Sequence, residues 1–157
     1  MTIRKTFKFE TAHRVRDAYT ERCRGIHGHS YTAELFLVGT QYDRAEMIMD
    51  FKLVKDKFND FIDSFDHTLL IEHTDKFLVK NAKELNDRYM IVPYNSTAEK
   101  MSQHIYNEAQ IKGLPVCKVI IHETLTGCAI CESYDEIVDN SKVIFSDQIK
   151  AEWKNEH

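Results

Sequence analysis

The segment Cys23-Arg-Gly-Ile-His27-Gly-His29 holds the densest set of reactive side chains in the chain. In an extended segment residues i and i+2 point the same way, so His27 and His29 present two imidazoles to one side while Gly28 leaves the other side uncrowded. His13 lies one loop upstream, at the end of a preceding strand, where strand pairing would bring it alongside. An H-x-H pair alone is a weak signal. A third histidine and a nearby cysteine make it a candidate for a catalytic zinc site, in which three protein ligands leave one coordination position open. Such a site polarises a substrate hydroxyl or carbonyl. Cys23 sits between Arg22 and Arg24. As a fourth ligand it would close the site and make it structural. The preferred reading is a reactive thiol, since cationic surroundings favour thiolate. Cys128-Ala-Ile-Cys131 is a lone C-x-x-C; zinc ribbons need two such pairs, so it reads as strand packing.

These side chains need elements to position them. Residues 5–13 alternate, with Phe7, Phe9, Thr11 and His13 opposed to Lys8, Glu10 and Ala12, which predicts a strand with one wetter face. Residues 14–29 read as a loop and 30–39 as a second strand. Phe51, Val54, Phe58, Phe61, Ile62 and Phe65 recur at helical steps, predicting an amphipathic helix over 51–65 with Asp50 as its N-cap. Residues 66–95 have no clean period and read as short turns or a broken helix. Ser96-Thr-Ala-Glu99 reads as a capping box that opens a second helix, stopped by Gly113 and Pro115. Strands follow at 116–123 and 128–136 around a turn at 124–127. The tail, 141–157, reads as a short strand at Val143–Phe145 and a helix through Trp153. The order ββααββ predicts an α+β fold: an antiparallel four-stranded sheet with two helices on one face. Residues 1–157 are expected to form a single domain, with 135–157 a candidate C-terminal extension. The open edges of so small a sheet favour oligomerisation.

Bulk properties narrow the function classes. A net charge of -4 gives no global basic field for nucleic acid or membrane. The opening MTIRKTFKFE has no apolar signal region, and no apolar run approaches the ~18 residues that span a bilayer. Four cysteines in a chain of this kind suggest free thiols in a reducing cytoplasm.

The string Phe7-x-Phe9-x-x-Ala12-His13, then Cys23-x-x-x-His27-Gly28-His29 with Ser30-Tyr31, resembles the 6-pyruvoyltetrahydropterin synthase and 6-carboxytetrahydropterin synthase family. Met49-Asp50-Phe51, Asp66-His67, Ser96-Thr97-Ala98-Glu99 and His122-Glu123-Thr124 follow in that family's order, so the resemblance covers about residues 7–134. It implies that His13, His27 and His29 bind Zn2+, that Cys23 is the catalytic thiol, and that Asp66 and His67 relay protons. It implies further that Glu123 anchors the pterin ring. The implied fold is the tunnelling fold, in which trimers close a barrel, two trimers stack into a hexamer, and active sites lie between subunits. Taken alone, Asp66-His67 also suits a helix end and Glu123 a solvated strand end. Arg14, Arg16, Arg22 and Arg24 are either triphosphate contacts or a solvated loop face.

Glu123-Thr-Leu-Thr-Gly-Cys128 and the Cys23-Arg-Gly before the histidine pair are closer to the bacterial carboxytetrahydropterin branch. That branch converts 7,8-dihydroneopterin triphosphate to 6-carboxy-5,6,7,8-tetrahydropterin, losing triphosphate and acetaldehyde on the way to queuosine and other deazapurines. The alternatives are the sister reaction that stops at 6-pyruvoyltetrahydropterin, a relative that cleaves the side chain to 6-hydroxymethyldihydropterin, and a non-catalytic zinc-binding oligomeric scaffold. A scaffold needs the histidines but has no use for Cys23. Three features depart from the family pattern: the length and charge of 68–95, Tyr94-Asn95 where the family often has Asn-Pro, and the extension 135–157.

Overall fold

In the computed structural model, which describes residues 1–39, 41–132 and 138–155, β1 (Thr2–His13) and β2 (His27–Val38) pair antiparallel from Thr2↔Val38 to His13↔His27. Their alternation sorts the side chains. Phe7, Phe9, Thr11 and His13 are buried on one face with Tyr31, Ala33, Leu35 and Leu37; the Phe9 and Tyr31 rings stack at 5.2 Å. Antiparallel to β2 runs β5 (Val116–His122), whose Val119 and Ile121 extend this core. β6 (Cys128–Cys131) closes the hairpin.

Two helices cover that face. α2 (Phe51–Asp63) starts at Asp50, whose side chain accepts from the Lys52 N–H, and buries Val54, Phe58, Phe61 and Ile62. α4 (Ala98–Ile111) buries Met101, Ile105 and Ala109. Full burial of each large apolar side chain contributes on the order of 2–3 kcal/mol. The N-cap of α4 is Thr97, which accepts from the Lys100 N–H at 3.4 Å, rather than Ser96. The predicted capping box is therefore off by one residue, because the Ser96 hydroxyl is turned toward His13.

The four-stranded expectation is corrected to a seven-stranded mixed sheet, in the order β6-β5-β2-β1-β3-β4-β7. Residues 66–95 are not turns. They contain β3 (Thr68–Glu72), α3 (Lys76–Leu85) and β4 (Tyr89–Val92), with β3 and β4 parallel. Leu70, Met90 and Val92 enter the main core. Leu69, Ile71 and Ile91 instead join Leu78 and Ala82 of α3 in a second, smaller core that also takes in Ala12. Ala12 has the opposite parity to His13, so α3 covers the face away from α2 and α4, and not all helices share one side. A strand covered on both faces reads as an unbroken apolar run, which hides its period. After a 3₁₀ turn at Asn140–Lys142, β7 (Ile144–Phe145) pairs with β4, and α5 (Asp147–Asn155) ends the described chain.

The predicted strand 128–136 ends at Cys131, and its residues 133–136 lie outside the described set. Cys128 is exposed and Cys131 buried, as expected three residues apart on a strand, so their thiols face opposite ways. Among the described residues no helix is long and apolar enough to cross a membrane.

Candidate metal centre and active site

The hairpin register sets His13 directly opposite His27, and His29 points the same way two residues on. One ligand atom from each imidazole lies within 4.8 Å of the other two. His13 Nδ1 is 2.7 Å from the Ser96 carbonyl and 3.1 Å from its hydroxyl, and His27 Nδ1 is 2.8 Å from the Gly25 carbonyl. A carbonyl only accepts, so in both rings Nδ1 carries the proton and Nε2 offers its lone pair. Imidazoles oriented in this way by carbonyls are typical of metal ligands. The donor set fits Zn2+.

Burial lowers the His13 pKa to about 4, with the neighbouring His27 and His29 adding to the effect against the Ser96 hydrogen bond. The ring is thus neutral at pH 7, as a metal ligand must be. His104, wholly buried in α4 with Nδ1 2.6 Å from the Tyr94 hydroxyl, is lowered to about 3 by the same desolvation. Both folded-state values lie below the unfolded 6.5. On acidification the unfolded chain therefore takes up protons first. This stability is complete above about pH 6.5 and is lost as pH falls toward the folded values, at about 1.4 kcal/mol per group per unit. Urea titrations of metal-free protein should show the unfolding free energy dropping by several kcal/mol between pH 6.5 and 4. A flat profile would contradict the neutral burial of both rings.

Glu123 follows β5 directly and belongs to this site rather than to solvent. Its Oε1 is 3.7 Å from His13 Nε2 and 3.6 Å from His29 Nε2, and it accepts from the Tyr31 hydroxyl at 3.2 Å. Burial and the adjacent Glu123 push the Tyr31 hydroxyl far above its usual pKa, so it stays a neutral donor. Tyr31 and Ser96 were not anticipated as site residues. Tyr31 was legible in principle, sharing the parity of His27 and His29. Ser96 was not, because only tertiary packing brings it to His13.

Cys23 lies on α1 (Glu21–Arg24), a short helix inside the segment expected to be loop. The Val15 N–H donates to the Cys23 carbonyl at 2.8 Å, which ties the start of the segment to its end. The half-buried thiol is outside the cluster of atoms that could share a metal ion.

Asp66 and His67 do form a pair, with His67 Nδ1 2.9 Å from Asp66 Oδ2. Asp66 Oδ1 accepts from the Glu10 N–H at 2.7 Å, and the His67 N–H donates to the Glu10 carbonyl at 2.6 Å. Burial works against ionisation of Asp66, but the Glu10 N–H, His67 and Arg88 together hold its carboxyl below the usual range. His67 has φ 52°, a left-handed conformation that costs a non-glycine residue roughly 1–2 kcal/mol. The C-cap of α2 is Ser64, so this pair is not merely a helix end. Its imidazole is three-quarters exposed. It opens on a cavity of about 460 Å³ shared with Glu10, Ala12, Gly28, His29, Ser30 and Asn86. The same cavity is thus lined by His67 and by His29 of the imidazole cluster, together with Thr11 and Thr68, while Asp66 also borders a pocket with Lys55, Asn59, Ile62 and Asp63 of α2.

Two of the four candidate phosphate-binding arginines have other work. Arg14 forks onto Asp75 (Nε–Oδ2 2.7 Å, Nη2–Oδ1 2.8 Å), and Arg16 reaches Glu72 at 3.1 Å and Thr74 at 2.6 Å. Arg14 holds the Asp75 carboxyl well below the usual range. Asp75 also accepts from the Leu78 N–H as the N-cap of α3. The inserted unit is thereby fastened to the residue after His13. Asp75→Ala removes the cap and strands a half-buried guanidinium. It should lower the unfolding free energy by roughly 2–4 kcal/mol in chemical denaturation; a loss under about 0.5 kcal/mol would show the fork to be dispensable.

The sequence matches the 6-pyruvoyl tetrahydropterin synthase family over residues 2–134. A relative from Helicobacter pylori strain J99, named 6-carboxy-5,6,7,8-tetrahydropterin synthase, is 30% identical across 98% of this chain and 86% of its own length. A protein of the same name from Aquifex aeolicus is 29% identical across 81% of this chain and 94% of its own. Among solved structures, an uncharacterised protein from Wolinella succinogenes superposes with a TM-score of 0.70 at 22% identity, covering 87% of this chain and 98% of that one. The 6-pyruvoyl tetrahydropterin synthase of Caenorhabditis elegans gives 0.63 at 19% identity, covering 85% and 96%. At these identities the two structures speak for the fold alone.

Proposed function

Because the chain belongs to the 6-pyruvoyl tetrahydropterin synthase family, we propose that this enzyme converts 7,8-dihydroneopterin triphosphate and one water to 6-carboxy-5,6,7,8-tetrahydropterin, triphosphate and acetaldehyde, as one step toward queuosine or other deazapurines. The observation that carries the reading is the convergence of His13, His27 and His29 with Glu123 at their edge. The names of relatives that align with nearly the whole chain support the carboxytetrahydropterin branch.

The three imidazoles would hold Zn2+, which would supply Lewis acidity toward substrate side-chain oxygens. The Ser96 and Gly25 carbonyls keep the His13 and His27 rings in the ligating tautomer. Glu123 accepts from the pterin 2-amino group and the adjacent ring N–H as a bidentate pair. Cys23, as thiolate, takes a proton from the substrate side chain, and His67, oriented by Asp66, gives or accepts the second. Because active sites in the family lie between subunits, as the resemblance implies, we assign the pair and the cluster to one site made by two copies.

The sheet supports such assembly. β3 pairs with β1 only at Thr11 and Ala12, so the remaining edge of β1 is available at one end of the core sheet and β6 at the other. Joining those edges between copies closes a barrel and removes both. A hexamer of two trimers follows from the family resemblance. We treat 1–157 as one domain, with the tail as its extension.

Zinc-loaded protein incubated with dihydroneopterin triphosphate and read by mass spectrometry tests the reading. Carboxytetrahydropterin with acetaldehyde is the expected outcome. A pyruvoyl product would move the chain to the sister reaction with the same site. No turnover by folded, zinc-bearing protein would leave the oligomeric scaffold.

A further inference from the structure

Two segments depart from the family pattern, 68–95 in its length and charge and the C-terminal extension, and both converge on one side chain, Arg88. It stands in the turn between α3 and β4, and its side chain is 13% exposed. Its Nε donates to the Asp66 carbonyl at 3.0 Å, its Nη2 to the Asp63 carbonyl at 2.7 Å, and its Nη1 to Glu152 on α5. Two residues earlier, Asn86 donates to the His67 carbonyl at 3.2 Å and to the Arg88 carbonyl at 2.6 Å. With the Glu10 contacts, the backbone carbonyls of Asp66 and His67 and the His67 N–H are all held by side chains or strand backbone. α5 is itself fastened: the Trp153 indole N–H donates to the Asp60 carbonyl of α2 at 3.3 Å, and its ring meets Phe145 at 4.6 Å.

A left-handed residue persists only where its surroundings over-determine it, and this exposed imidazole takes its aim from the backbone that carries it and from the Asp66 carboxylate at 2.9 Å. A proton donor displaced by about 1 Å loses about 10²-fold in rate. We propose that Arg88 is a positioning residue for His67, and that the C-terminal extension, through Glu152, belongs to this device. The segment 68–95 and the tail thereby set the direction of an acid–base group that works in a neighbouring copy's site. The proposal rests on the reading of His67 given above.

The test is a double-mutant cycle in the full-length, zinc-loaded protein, with triphosphate release as the readout so that it does not depend on the final product. Arg88→Ala is expected to lower kcat by about 10- to 100-fold with KM within about twofold and zinc content unchanged. In a His67→Ala background the same change should have no further effect, which a merely structural role would not produce. Arg88→Lys and Glu152→Gln carry the same test if Arg88→Ala does not fold, and each is expected to give a smaller loss of the same kind. An equal loss from Arg88 substitution with and without His67, a loss confined to KM, or no loss at all would overturn the proposal while leaving His67 catalytic. If His67→Ala alone left kcat unchanged, the reading of His67 would fall, and this proposal with it.

Discussion

Cys23→Ala should reduce turnover of dihydroneopterin triphosphate by roughly 10²–10⁴-fold, the usual range for a positioned proton-transfer group, and should retain its metal. The thiol lies outside the imidazole cluster, so removing it takes no ligand away. His67→Ala should be similarly impaired with zinc in place. The sharper outcome comes from mixing them. If one site draws Cys23 from one copy and His67 from another, unfolding and refolding the two inactive proteins together creates sites with both native groups. Equal mixing makes about a quarter of the sites complete, since the two contributions assort independently in a symmetric oligomer. Recovered activity near that fraction is expected. A mixture as inactive as its parents would mean that both groups come from one chain, against the site shared between copies proposed above.

His27→Ala should weaken zinc binding by roughly 10²–10³-fold and abolish turnover. A four-ligand zinc site contributes about 10–16 kcal/mol, so each ligand accounts for about 3–4 kcal/mol of it. His27 occupies the last rung of the β1–β2 ladder, opposite His13. Truncating its side chain leaves the ladder's backbone hydrogen bonds intact, so the variant should fold. Metal content after dialysis against a chelator, with circular dichroism as the folding control, reads the outcome. Full retention of zinc would mean that two imidazoles and another donor, Glu123 being adjacent, suffice to hold it.

The contrast between Asp75 and Asp66 shows how the inserted unit reaches the chemistry at two points. Asp75 grips Arg14, next to His13. Asp66 is gripped in turn by Arg88 through its carbonyl. The segment 68–95 therefore braces both the strand end that carries His13 and the Asp66–His67 pair. Neither brace is written as a motif, because each joins residues more than twenty positions apart.

What the sequence by itself determined is local. The parity of Phe7, Phe9, Thr11 and His13 and the i, i+2 spacing of His27 and His29 specify which side chains share a face, because strand periodicity is set by backbone geometry alone. The helical steps from Phe51 to Phe65 and from Ala98 to Ala109 are legible for the same reason. Tertiary structure decided the rest. The runs Thr68–Glu72 and Tyr89–Val92 are too short and too uniformly apolar to reveal a period, and they became strands only by being buried on both faces, against α3 on one side and the main core on the other. Arg14 and Arg16 read equally as phosphate contacts or solvated surface until Asp75 and Glu72 arrived from another element. Glu123 passed from a solvated strand end to the edge of the imidazole cluster through β5's register with β2. The side of the sheet on which Asp66 and His67 stand follows from hydrogen bonds to Glu10, fifty-six residues away in sequence for Asp66. Contacts at that separation depend on which strands meet, and no local pattern of side chains encodes it.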